Sequence, residues 1–182
     1  MAKFGKINLK SSITMETPKR ENFSLKKVKL NPKGGIKAEY EISLVLDGEV
    51  LIKDRSEICS QEIHPDLRQA INALRPRVAE IFEMSDTTAE RIEVRGIAIS
   101  GEGDKEAVIV TSVFETANGQ KTCINTPRIF TAGEDGERAE LDAIVETIRD
   151  EVYAYLFAGK QAQLSLFGQD PAESDDIPEG VE

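Results

Sequence analysis

Ile36-Lys37-Ala38-Glu39-Tyr40-Glu41-Ile42-Ser43-Leu44-Val45-Leu46-Asp47-Gly48-Glu49-Val50-Leu51-Ile52 decides the fold class of this chain. From Ile36 onward an apolar side chain recurs at every second position, the spacing that gathers such residues on one face of a β-strand. Asp47-Gly48 then interrupts the pattern, and this dipeptide accepts the positive φ of a tight turn whose twist matches the flanking strands. Val50-Leu51-Ile52 resumes it and predicts a partner strand running towards Ile58. A lone hairpin is marginal in water, so the fold needs further strands and a cover for the apolar face.

Both are legible on either side. Residues 23–30 alternate apolar with basic side chains and predict a first strand, joined to the second through the turn chemistry of Asn31-Pro32-Lys33-Gly34-Gly35. Downstream, His64-Pro65 opens a helix whose buried stripe is Leu67, Ile71, Leu74, Val78 and Ile81. His64 reads as its cap or turn residue, and Pro76 inside the stripe must kink the helix or divide it in two.

The same order then recurs. Residues 91–100 carry Ile92, Val94, Ile97 and Ile99, with Gly96 as an expected bulge. Gly101-Glu102-Gly103-Asp104 turns into a strand over 107–116, and Asn118-Gly119 marks a second hairpin. Residues 121–130 supply a third strand that Pro127 interrupts and so confines to an edge. A final helix over 137–158 buries Leu141, Ile144, Val145, Ile148, Val152, Tyr155 and Leu156, and Gly159 stops it. The expectation is an α+β domain over residues 21–160, built of tandem βββα units. Together they form one antiparallel sheet, or a strongly curved half-barrel, under two covering helices. Residues 1–20 are expected to be a mobile arm, although Phe4, Ile7 and Leu9 suit an added edge strand. Residues 161–182 are expected to be a docking peptide with a disordered acidic tail. The sequence leaves the oligomeric state open, with the strand interrupted at Pro127 and the N-terminal arm as elements that could mediate self-association.

Charge is distributed unevenly along the 182 residues, whose formal net charge is −10. The first forty residues hold Lys3, Lys6, Lys10, Lys19, Arg20, Lys26, Lys27, Lys29, Lys33 and Lys37 against Glu16, Glu21 and Glu39. The C-terminal end is acidic throughout. Lys26, Lys27, Lys29, Lys33 and Lys37, on or beside the first strand, form a candidate phosphate-binding patch for single-stranded DNA, with Phe23 or Tyr40 to stack on a base.

Catalytic constellations are sparse. His64 is the only histidine, and Cys59 and Cys123 stand alone in strand contexts, where buried free thiols are expected. No zinc ligand set can be assembled from them. Gly101-Glu102-Gly103-Asp104 lacks the Lys-Ser/Thr ending of a phosphate loop, and Gly133-Glu134-Asp135-Gly136-Glu137 lacks the spacing of a calcium loop. The expectation is a non-enzymatic protein with no cofactor or metal. No apolar run is long enough to span a membrane and no signal-like segment opens the chain, which predicts residence in the cytoplasm of a bacterial host cell.

Gln163-Leu164-Ser165-Leu166-Phe167 resembles the peptide by which bacterial polymerases, repair proteins and some phage proteins dock on the DNA polymerase sliding clamp. The resemblance implies that Gln163 fixes the register by hydrogen bonding while Leu164, Leu166 and Phe167 enter an apolar groove. Asp175-Asp176-Ile177-Pro178 resembles the acidic tip of bacterial single-stranded-DNA-binding proteins. That tip ends on Phe, whereas here Glu179-Gly180-Val181-Glu182 follows, which leaves the tail as a charged spacer.

Residues 23–167 also resemble uncharacterised proteins encoded by bacteriophages and prophages. The resemblance lies in the two strand-rich halves, Asn125-Thr126-Pro127 and Tyr153-Ala154-Tyr155-Leu156-Phe157 before Gly159-Lys160. It implies a replication or recombination accessory protein, or a factor that subverts host machinery, and with the peptide at Gln163 the expectation is one recruited to the clamp. The alternatives are a nucleic-acid-binding accessory protein using the basic strand, or a nucleotide-binding counter-defence protein with its pocket between the halves.

Overall fold

The structure, a computed structural model, describes residues 17–46, 49–131 and 136–161. Three strands open the fold: β1 (Phe23–Leu30), β2 (Ile36–Leu46) and β3 (Glu49–Cys59). Helices α1 (Pro65–Asn72), α2 (Arg75–Ile81) and α3 (Asp86–Ala89) follow. The second half repeats the plan with β4 (Ile92–Ser100), β5 (Ala107–Glu115), β6 (Lys121–Asn125), β7 (Ile129–Phe130) and the long α4 (Gly136–Phe157). The sheet is open and antiparallel, in the order β3-β2-β1-β4-β5-β6, with β7 also on β5. It is an α+β fold of tandem βββα units, as the hairpin signals and helical stripes imply.

The two units are related more closely than their sequences suggest. Their first strands, β1 and β4, lie side by side, so the order reads outward identically from the seam. Each first strand shifts register between its third and fifth residues, Leu25 and Lys27 in β1 and Val94 and Gly96 in β4. Across the seam Lys27 pairs with Ala98, Val28 with Ile97 and Lys29 with Gly96. Aligning the two bulges makes Val28 the counterpart of Ile97, so this pairing is two-fold symmetric about them. Gly96 breaks the symmetry, because a Cβ there would stand 2.1 Å from the Val28 carbonyl oxygen, whereas its counterpart Lys27 carries a full side chain.

Helices cover one face of the sheet. Leu25, Val28, Ile36, Ala38, Ile92, Val94, Ile97 and Val110 of the strands are buried with Leu67, Ile71, Leu74 and Val78 of α1–α2 and Val145, Ile148, Val152 and Tyr155 of α4. Pro76 divides the predicted helix: lacking an N–H, it cannot donate to the carbonyl four residues back, and α1 ends at Asn72. Helix α3, too short for a periodic stripe, is a turn in which the Ser85 and Thr88 hydroxyls hydrogen-bond at 2.8 Å. Strands β6 and β7 are two parts of one edge strand along β5. At the break the Val110 N–H donates to Thr126 Oγ1 (2.9 Å), and the Thr126 N–H donates to the Val110 carbonyl (3.0 Å).

Two expectations need correction. Cys59 and Cys123 are free thiols, but Cys59 is half-buried and Cys123 exposed, because β3 and β6 are the outermost strands and lack a neighbour to enclose them. Burial pushes the Cys59 thiol above its ordinary range. Phe23 and Tyr40 are not free to stack on bases. Both are buried, in an aromatic cluster with Tyr153 and Phe157 whose ring centroids lie 5.2–5.9 Å apart. The segment before β1 is tied to α4 through Tyr153, whose hydroxyl donates to the Pro18 carbonyl (2.6 Å), and through Arg20, which pairs with Glu146 (3.2 Å) and Asp150 (2.5 Å).

Candidate interaction surfaces

Strand alternation puts Lys37, Glu39 and Glu41 of β2 on the face opposite the helices, since Ala38, Tyr40 and Ile42 between them are buried. The basic residues of β1 join them there. Lys26 pairs with Glu41 (3.0 Å), Lys27 with Glu39 (3.8 Å) and Lys37 with Glu39 (3.1 Å). The hydrogen bond from Lys37, with the nearby charges of Lys27 and Lys29, holds the Glu39 carboxyl below its ordinary range. The five candidate lysines are therefore gathered around one hairpin, but three of them spend their charge on two carboxylates. Lys29 and the turn residue Lys33 are exposed. Such interleaving lowers the local positive potential that would attract a phosphate backbone.

His64 does what its place before Pro65 implies: its Nδ1 accepts from the Asp66 N–H (3.3 Å) and caps α1. Close by, Lys160 bridges Asp66 (2.7 Å) and Glu151 (2.8 Å), joining the end of α4 to the start of α1. Tyr155 reinforces this corner by donating from its hydroxyl to the Gln61 carbonyl (2.6 Å). Gly159, at φ +68°, ends the helix, and Gln161 forms a β-bridge with Ile63. Gln163, Leu164, Leu166 and Phe167 lie outside the described residues, as do the acidic tail and Gly133-Glu134-Asp135.

Concave features are modest. The crevice between the two units, lined by Pro76, Arg77 and Glu80 of α2 and Glu140, Leu141 and Ile144 of α4, measures about 200 Å³. A larger one of about 550 Å³ lies at the end of β4, with Arg75 and Arg91 opposed by Glu90, Glu93 and Glu115. The first is smaller than ordinary small-molecule sites, and in the second Glu93 and Glu115 are already paired with Arg95 and Lys121. At the seam of the sheet β1 and β4 are directly paired. Gly101-Glu102-Gly103-Asp104 is a hairpin connection, with Gly101 at φ +84° and Gly103 at φ +53°. Among the described residues no group of three or more His, Cys, Asp or Glu side chains could hold a metal ion. No described helix is long and apolar enough to cross a membrane.

Sequence reasoning missed one surface. Of the seven large exposed apolar residues described, five (Val45, Val50, Leu51, Ile52 and Ile58) sit on β2 and β3. Their signal was the unbroken Val50-Leu51-Ile52, which places apolar groups on both faces of an edge strand instead of one. No family model matches this chain, and no curated protein or solved structure is significantly similar to it.

Proposed function

We propose that this chain is a non-enzymatic, phage-type replication or recombination accessory protein that docks on a bacterial DNA sliding clamp through Gln163, Leu164, Leu166 and Phe167. One observation supports the reading above the others: the last described contact of the domain lies immediately before the peptide in sequence. Helix α4 stops at Gly159, Gln161 is bridged to Ile63, and a single residue, Ala162, separates that bridge from Gln163. A docking peptide placed there starts from a fixed point on the domain surface. Its Leu-Phe pair supplies the apolar anchors and its Gln the orienting hydrogen bonds of a peptide-in-groove contact. The acidic tail beyond it would act on the encounter rate more than on affinity.

A phosphate-binding role for β1 has less support, because Glu39 and Glu41 already engage Lys26, Lys27 and Lys37. The test is clamp binding by the full chain, compared with Leu166→Ala combined with Phe167→Ala. Micromolar or tighter binding that the double substitution abolishes, at an unchanged melting temperature, supports the reading. Absence of binding, or unfolding by the double substitution, overturns it.

A further inference from the structure

We propose that two copies of this chain join edge to edge through β3, forming one continuous antiparallel sheet across a two-fold axis at Arg55. Strand β3 ends the sheet on its side and spans eleven residues, all of them paired with β2 from Leu46–Glu49 to Ile36–Cys59 with no register shift. It contains neither proline nor glycine. Edges that must stay unpaired are usually shortened, bulged or interrupted by proline. The opposite edge of this sheet has those protections, since β6 is five residues long and Pro127 separates it from β7. Strand β3 has none of those three and relies on the charges of Lys53, Asp54, Arg55 and Glu57. It also carries more exposed apolar side chains than the other edge, where Phe130 is 48% accessible: Val50 is 66% accessible, Ile52 60% and Ile58 73%.

Chemistry selects a second copy as the occupant and fixes the register. Residues paired across a two-fold axis must share a face, so the axis passes through a residue and not between two. With the axis at Arg55, Ile52 meets Ile58, Leu51 meets Cys59, Lys53 meets Glu57 and Asp54 meets Ser56, and each pair occurs twice. Apolar groups oppose apolar groups and cations oppose carboxylates, with one Arg55–Arg55 contact as the unfavourable element. Moving the axis to Asp54 sets Lys53 against Arg55, Leu51 against Glu57 and Asp54 against itself. Moving it to Lys53 pairs Ile52 with Asp54 and Glu49 with Glu57, and moving it to Ser56 pairs Ile58 with Asp54. Only the Arg55 axis satisfies both the isoleucines and the charges. Because each chain carries a net charge of −10, association should strengthen as salt screens the mutual repulsion.

Sedimentation equilibrium of the full chain over a wide concentration range, at low and high salt, tests this. The expected result is a monomer–dimer equilibrium, tighter at high salt. Ile52→Lys with Ile58→Lys should weaken it by about tenfold or more, since both copies of the Ile52–Ile58 cross-strand pair are replaced by like charges. Both positions are exposed, so the melting temperature of the monomer should hold; Ile58→Thr, which keeps a β-branched side chain, serves if the double variant does not fold. In a Cys59→Ser, Cys123→Ser background, Arg55→Cys should form an intermolecular disulfide on mild oxidation, because the axis brings the two Cα atoms within bridging distance. A chain that stays monomeric at all concentrations overturns the proposal. So does a monomer that dimerises only after residues 1–16 are deleted, which would make the N-terminal arm the occupant of this edge. A dimer unaffected by the β3 substitutions would also overturn it.

Discussion

Val28 of β1 and Ile97 of β4 pair at the centre of a local two-fold axis, both buried, each two residues after the register shift of its own strand. The two βββα units meet through this pair, and the whole six-strand order follows from it. At Gly96 the two units approach too closely for a side chain. Gly96→Ala would set a Cβ 2.1 Å from the Val28 carbonyl oxygen, a backbone atom that cannot swing aside. The expected cost is about 2–3 kcal/mol, read as a lower urea midpoint at unchanged slope. Truncating the counterpart, Lys27→Ala, should cost about 1 kcal/mol or less, because its ion pair with Glu39 is partly exposed.

Tyr155 is a second seam, between α4 and the loop before α1. Its ring is buried and its hydroxyl donates to the Gln61 carbonyl at 2.6 Å, with burial raising its pKa. Tyr155→Phe keeps the packing and removes the donor. A loss of about 1–2 kcal/mol in urea denaturation is expected.

The corner formed by Lys160, Asp66 and Glu151 gives stability a pH dependence of known sign. The hydrogen bond from Lys160 holds the Asp66 carboxyl below its ordinary range, and the bonds to Asp66 and Glu151 hold Lys160 above its own. A depressed carboxylate contributes fully above its unfolded pKa, near pH 4, and the contribution is lost as pH falls through the folded value. A raised lysine contributes fully below its unfolded pKa, near pH 10, and the contribution is lost as pH rises through the folded value. Glu39, held down by Lys37, adds to the acid side. Urea midpoints should therefore be flat around neutrality and fall towards both extremes. Lys160→Met should lower the plateau and flatten both flanks, whereas unchanged flanks would show that the corner is not linked to folding.

His64 caps α1 through Nδ1. His64→Ala should cost about 0.5–1 kcal/mol and His64→Asn or His64→Ser much less, since either side chain supplies an acceptor. Equal loss in all three would mean that the imidazole contributes packing and not capping.

For the basic hairpin the expected behaviour is weak, steeply salt-dependent association with single-stranded DNA. Glu39→Gln with Glu41→Gln frees Lys26, Lys27 and Lys37 from their partners. Affinity at low salt should rise in that variant, measured by fluorescence anisotropy. No change would remove β1 as a nucleic-acid surface.

Local chemistry by itself determined the elements of this protein. Alternation and turn residues placed β1 and β2, Pro76 divided the first helix, Gly159 closed the last, and His64-Pro65 announced a cap, because each of these depends on a residue and its near neighbours in the chain. The recurrence of the order also identified the tandem units. What only the tertiary structure decided was adjacency. Sequence spacing does not say that β1 and β4 meet at Val28 and Ile97, that Glu39 and Glu41 neutralise the lysines beside them, or that β3 is left at an edge with Ile52 and Ile58 exposed. Those outcomes depend on which strands lie side by side, and strand pairing joins residues that are far apart in the chain.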